Sequence, residues 1–123
     1  MACYKIYCSD HILRENDRED IALRITALHS ETTNSPPGDV KVLYHHFGLW
    51  DLWSGGKRAQ KYVRVEADCK ANLSSRSKFS ILQATHEIVR DTLGDRAPEV
   101  EIQTRIVETQ TSESVMTNGR IGG

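Results

Sequence analysis

The chain has 123 residues, 38% of them hydrophobic and 27% charged, with only three prolines. That suits one domain large enough to bury its own core, spanning 1–123. Its formal net charge is -1 and its isoelectric point is near 6.5, so no basic field exists to hold nucleic acid. No apolar run approaches the roughly 20 residues that span a bilayer, and the amino terminus lacks the charged-then-apolar pattern of a secretory signal. The expectation is a cytoplasmic protein with no membrane partner. Cys3, Cys8 and Cys69 have neither CxxC nor zinc-finger spacing, and read as small, partly buried thiols in a reducing compartment.

The first stretch, Ala2 to Cys8, alternates, with Tyr4, Ile6 and Cys8 on one face and Cys3, Lys5 and Tyr7 on the other; this is a strand. From about Arg14 to Ser30, apolar positions at Ile21, Ala22, Ile25 and Leu28, with His29, fall on one helical face. Glu15, Asp17, Glu19 and Asp20 crowd the start of that helix, where they complement its dipole. The run from Thr32 through Pro36 and Pro37 to Asp39 cannot continue it, because proline lacks the amide donor and pushes its predecessor toward extended geometry.

A second strand is expected from Val40 to Phe47, then a loop through Gly48, Trp50, Trp53 and the Gly55-Gly56 pair, then a third strand from Tyr62 to Lys70. Ser74 or Ser75 is placed to cap a second helix whose apolar positions are Phe79, Ile81, Leu82, Ile88, Val89 and Leu93, and Gly94 is placed to end it. The last strand runs from about Glu99 to Val107, with Val100, Ile102, Thr104 and Ile106 inward, and a polar tail follows over 111–123.

These elements contain a repeat. Ile21 with Ile81, Leu28 with Ile88, Val40 with Val100 and Val42 with Ile102 coincide at an offset of about sixty residues, as two βαβ units over about 1–60 and 61–110 would give. Each unit has parallel strands joined by a right-handed crossover. The fold class is therefore α+β, a four-stranded sheet with two helices on one face. The other face is left uncovered, with mixed apolar and charged residues, and oligomerisation is the simplest remedy.

With this layout, Ile25-Thr26-Ala27-Leu28-His29, the Thr33 to Pro37 turn, Val40-x-Val42-x-Tyr44, Gly55-Gly56-Lys57 and Asn118-Gly119-Arg120, the chain resembles the tautomerase superfamily. Within it the similarity is to the cis-3-chloroacrylic acid dehalogenase branch and its fungal relatives. The resemblance implies a tautomerase-like fold, a homotrimer, and removal of the initiator methionine to expose an amino-terminal proline at the floor of a pocket. Carried over residue by residue, Ala2 stands where the family has that proline, and His29 matches its pocket histidine. The two carboxylate-binding arginines fall on Lys70 and Leu73, with Arg76 the alternative to Leu73 if the alignment slips. The last-strand tyrosine falls at Thr104 or Arg105, and the water-positioning glutamate near Thr117. The scaffold survives these departures and dehalogenation does not.

The remaining chemistry follows from the residues. Processing before Ala2 would leave a primary α-amine of pKa about 7.7 to 8.0, able to act as a base or form a Schiff base; with Met1 retained, Ala2 carries only an amide. An unperturbed imidazole titrates at about pH 6.5, so His29 can shuttle a proton, or it simply caps a helix end. His45 and His46 are adjacent in a strand and point to opposite faces, which argues against a metal pair. Trp50 and Trp53 would wall an apolar substrate or pack in a trimer interface. Lys70 and Arg105 would bind a carboxylate or enolate oxygen or lie in solvent, and Arg120 would reach a neighbouring pocket or belong to a mobile tail.

Two functions remain. One is an isomerase or lyase that moves a proton on a small carbonyl or enol substrate by general acid–base catalysis, with His29 and the Ala2 amine as acid and base and no cofactor. The fungal resemblance implies a tautomerisation, dehydration or cyclisation in secondary metabolism. The other is a non-catalytic trimeric binding or scaffold protein that has lost the proline.

Overall fold

In a computed structural model the chain is described over residues 2–109, apart from 49, 60 and 71. The element order is β1 (Ala2–Ser9), α1 (Glu15–Thr33), β2 (Val40–Phe47), β3 (Trp53–Ser54), β4 (Lys57–Arg58), β5 (Tyr62–Lys70), α2 (Ser75–Leu93) and β6 (Glu101–Thr109). The main sheet has the order β2-β1-β5-β6. β1 runs parallel to β2, with Ala2 opposite Val40, and β5 parallel to β6. The two units join through the antiparallel pair β1 and β5, as an internal repeat related by a two-fold turn requires.

The period-two pattern drives this arrangement. Tyr4, Ile6 and Cys8 of β1 and Val63, Val65, Ala67 and Cys69 of β5 are buried under the helices. Lys5 and Tyr7 lie opposite Glu66 and Arg64 on the uncovered face. α1 buries Ile21, Ile25 and His29, one residue every fourth position. Its start is held by the Asp17 carboxylate, which accepts from the Arg14 amide at 2.9 Å. It runs three residues past Ser30, ending where Asn34 takes the left-handed conformation (φ 60°) ahead of Pro36. α2 starts on the Ser74 hydroxyl, which accepts from the Ser77 amide at 3.1 Å, and ends at Gly94 with φ 58°.

Further boundaries differ from expectation. The segment read as a loop contains a small hairpin, with Trp53 paired to Arg58 and Ser54 to Lys57. Gly55 (φ 58°) and Gly56 (φ 78°) form its turn. Two successive left-handed residues match the twist of a tight hairpin, which is why a glycine pair occupies them. The last strand begins at Glu101 because Gly94–Glu99 forms a 3-10 helix containing Pro98. Phe79, expected on the apolar face of α2, is 65% exposed.

No helix of the described residues is long and apolar enough to cross a membrane.

Candidate functional site

The parallel pairing of β1 with β2 and the antiparallel pairing with β5 bring three segments to one end of the sheet. They are the start of β1, the turn before β2 and the exit from β5. α1 ends over the same place. A cavity of about 220 Å³ opens there, with Ala2, His29 and Lys70 in its wall. Thr33, Ser35 and Asp39 supply further polar groups, and Asn72 and Leu73 close the side after β5.

Ala2 is 3% exposed and His29 4% exposed, while Lys70 is exposed. The Tyr4 hydroxyl lies 2.7 Å from His29 Nδ1 in a buried contact, and the two rings meet edge to face with centroids 5.5 Å apart. Burial, then the positive charge of the amino terminus, holds the His29 pKa below its ordinary value, so the imidazole is neutral near pH 7. Burial raises the Tyr4 pKa, and the Cys69 thiol raises it further. Burial likewise pushes Cys69 up to about 11. All three groups are therefore protonated or neutral at pH 7.

A neutral imidazole tied at Nδ1 keeps Nε2 available. The tyrosine hydroxyl can donate to a bare Nδ1 or accept from a protonated one, so it supports the imidazole in either tautomer. The turn is braced separately. The Thr33 hydroxyl donates to the His29 carbonyl at 2.7 Å and sits 2.7 Å from the Ser35 hydroxyl.

Of the residues selected from the sequence, Ala2, His29, Lys70 and Leu73 meet at this cavity, and Arg76 does not line it. Trp50 and Trp53 stand at the other end of the sheet, on and beside the hairpin that follows β2. Their ring centroids are 6.1 Å apart, and the Arg58 guanidinium lies 4.2 Å over the Trp50 ring. Arg105 pairs in register with Glu66 on the uncovered face, its guanidinium 3.9 Å from the Glu66 carboxylate. Thr104 faces α2 and contacts the Leu82 carbonyl at 3.5 Å. Thr117, Asn118, Gly119 and Arg120 lie outside the described residues. Among those residues no cluster of His, Cys, Asp and Glu could hold a metal ion.

Sequence reasoning missed Tyr4 and Asp39. The alternation in β1 puts Tyr4 on one face with Ile6 and Cys8 but does not name its partner. Asp39 directly precedes Val40, which pairs with Ala2, so the parallel register itself could have placed it at the site.

A family model described as "Putative oxalocrotonate tautomerase enzyme" matches residues 1–121, and the chain belongs to this family of the tautomerase superfamily. Among solved structures it is similar to native Ps01740, with 21% identity, a TM-score of 0.80 and coverage of 93% of this chain and 99% of that one. A fused 4-OT wild-type asymmetric trimer gives 12% identity, a TM-score of 0.79 and coverage of 96% and 94%. A member of the cis-3-chloroacrylic acid dehalogenase family gives 19% identity, a TM-score of 0.73 and coverage of 95% and 85%. At these identities the likeness is one of fold. No curated protein matches the chain.

Proposed function

We propose that the protein is a tautomerase-like isomerase that moves a proton on a small carbonyl or enol substrate bound at the Ala2 end of the sheet. The observation that carries this reading is the convergence of Ala2, a buried neutral His29 and Lys70 on one cavity. The roles follow from the chemistry. The His29 imidazole exchanges a proton with the substrate through Nε2 while Tyr4 holds Nδ1. The Lys70 ammonium steadies negative charge that develops on a carboxylate or enolate oxygen. If Met1 is removed, the Ala2 α-amine supplies a second base at the cavity floor.

Asp39 shares the cavity with Lys70, so the one ammonium faces one carboxylate. That balance suits a neutral or singly charged oxygenated substrate better than a dicarboxylate, which two cations would hold. Tautomerisation is the simplest such reaction; dehydration or cyclisation uses the same acid and base, and a place in secondary metabolism remains the fungal expectation. The trimeric assembly of the fused 4-OT structure supports a homotrimer built on the uncovered sheet face. In that assembly Trp50, Trp53 and Arg105 would serve the site only from a neighbouring subunit.

The test is an ultraviolet assay of enol-to-keto conversion on an aryl enolpyruvate, using protein whose amino terminus is defined by intact mass. Turnover by the wild type that falls in Lys70→Ala is expected. Activity in Ala2→Pro alone would remove the catalytic role from the natural residues. The second reading, a non-catalytic binding protein, is favoured by one feature, the alanine at the position of the family's proline; it predicts no turnover from the wild type.

A further inference from the structure

At the opposite end of the sheet from Ala2, where parallel β1 and β2 both finish, a second cleft of about 590 Å³ is lined by Asp10, His11, Leu13, Arg14, Arg18 and His46. Four of those six side chains are guanidinium or imidazole groups, and they come from three separate segments, the β1–α1 turn, the first turns of α1 and the end of β2. Asp10 is the one carboxylate among them. Asp17 of α1 is already engaged, by the Arg96 guanidinium at 3.1 Å and the Arg14 amide at 2.9 Å.

Neither Arg14 nor Arg18 makes an ion pair among the described residues. Arg14 caps the start of α1 and Arg18 lies one turn further on, a spacing at which like charges repel. Arg18 Nη2 donates to the Leu13 carbonyl at 3.2 Å, yet its Nε is buried with no hydrogen-bond partner. An oxyanion bound in the cleft supplies the countercharge and the acceptors that the two unpaired guanidinium groups lack. His46 is oriented beside them by Cys8, whose sulfur lies 3.4 Å from Nδ1. Next door, a cavity of about 420 Å³ shares Asp10 and His11 and adds apolar surface from Ile12, Phe47 and Ala59.

We propose that this end of the sheet is a second binding site, separate from the Ala2 cavity, for a small organic oxyanion: a carboxylate or phosphate head held by Arg14 and Arg18, with its apolar body against Ile12 and Phe47. No reaction is assigned to it.

The experiment is a titration followed by amide NMR at physiological salt, using benzoate, phenyl phosphate and benzyl alcohol as probes. The two anions distinguish a carboxylate from a phosphate ligand, and the alcohol reports apolar contact alone. Saturable binding of either anion, with shifts at Asp10 and His46, is expected. Its Kd should rise about tenfold in Arg14→Gln and in Arg18→Gln, the loss of one charge-assisted hydrogen bond, and stay unchanged in Lys70→Gln. Arg14 is exposed, so Arg14→Gln remains informative if Arg18→Gln fails to fold. The proposal is overturned if neither anion binds, if benzyl alcohol binds equally well, if Arg14→Gln leaves affinity unchanged, or if Lys70→Gln abolishes binding.

Discussion

The Tyr4 hydroxyl and His29 Nδ1 lie 2.7 Å apart in the buried centre of the candidate site, joining the first strand to the last turns of the first helix. The bond orients the imidazole toward the cavity and satisfies a nitrogen that water cannot reach. Tyr4→Phe therefore leaves a buried acceptor or donor unpaired. We expect a loss of about 1–3 kcal/mol in urea unfolding, with a fall in kcat larger than any change in KM. An unchanged unfolding midpoint would contradict the contact.

The depressed pKa of His29 sets a pH dependence of stability. The unfolded histidine takes up a proton near pH 6.5, whereas the folded one resists protonation. Between the folded and unfolded pKa values the unfolded state binds more protons, so stability rises with pH there. The contribution is complete above about 6.5 and is lost as pH falls through the folded value. Chemical unfolding at pH 7.5 and pH 5.5 should show a smaller pH effect in His29→Gln than in the wild type. Equal slopes in the two proteins would remove the buried neutral imidazole from the account.

Lys70 is exposed at the cavity mouth, so its removal should cost substrate binding and little folding energy. In Lys70→Ala we expect KM to rise about tenfold, the worth of one charge-assisted hydrogen bond, with the melting temperature nearly unchanged. Steady-state kinetics beside a thermal melt separates the two effects.

Thr85 is 1% exposed, and its hydroxyl has no hydrogen-bond partner. Valine keeps the shape and removes the unsatisfied group. Thr85→Val should stabilise the protein by about 1 kcal/mol, read as a higher urea midpoint at an unchanged m-value.

On the uncovered sheet face Leu43 is 48% exposed and Tyr7 stacks on His45 with ring centroids 5.0 Å apart. If that face joins subunits, light scattering will give three times the 13.9 kDa chain mass, and Leu43→Asp will reduce it toward one. A trimer indifferent to Leu43→Asp would place the interface elsewhere.

The main elements were legible in the sequence because each rests on a local rule. Tyr4, Ile6 and Cys8 alternate, Ile21 and Ile25 keep a helical face, Pro36 and Pro37 bar the first helix from continuing, and Gly94 ends the second. The hairpin was not legible, since strands of two residues carry no period and only the glycine pair marks them. Half of the candidate site could be reached, Ala2, His29, Lys70 and Leu73, through family resemblance rather than spacing. The Tyr4 partnership was hidden because it joins residues 25 apart in sequence, and side-chain direction across a helix–strand packing is set by the tertiary fold. Trp50 and Trp53 were drawn toward the site by their size alone; the chain path past β2 carries them to the other end.

The proposed reaction rests on His29 transferring a proton to or from a bound substrate. The direct measurement is proton NMR of phenylpyruvate in D2O, following loss of its C3 hydrogens with wild-type protein of defined amino terminus and with His29→Gln. Exchange faster than the buffer-catalysed rate is expected, falling by about a hundredfold in His29→Gln, as removal of a general acid–base group does. Exchange at the buffer rate with the wild type, or at the same accelerated rate in both proteins, would contradict it.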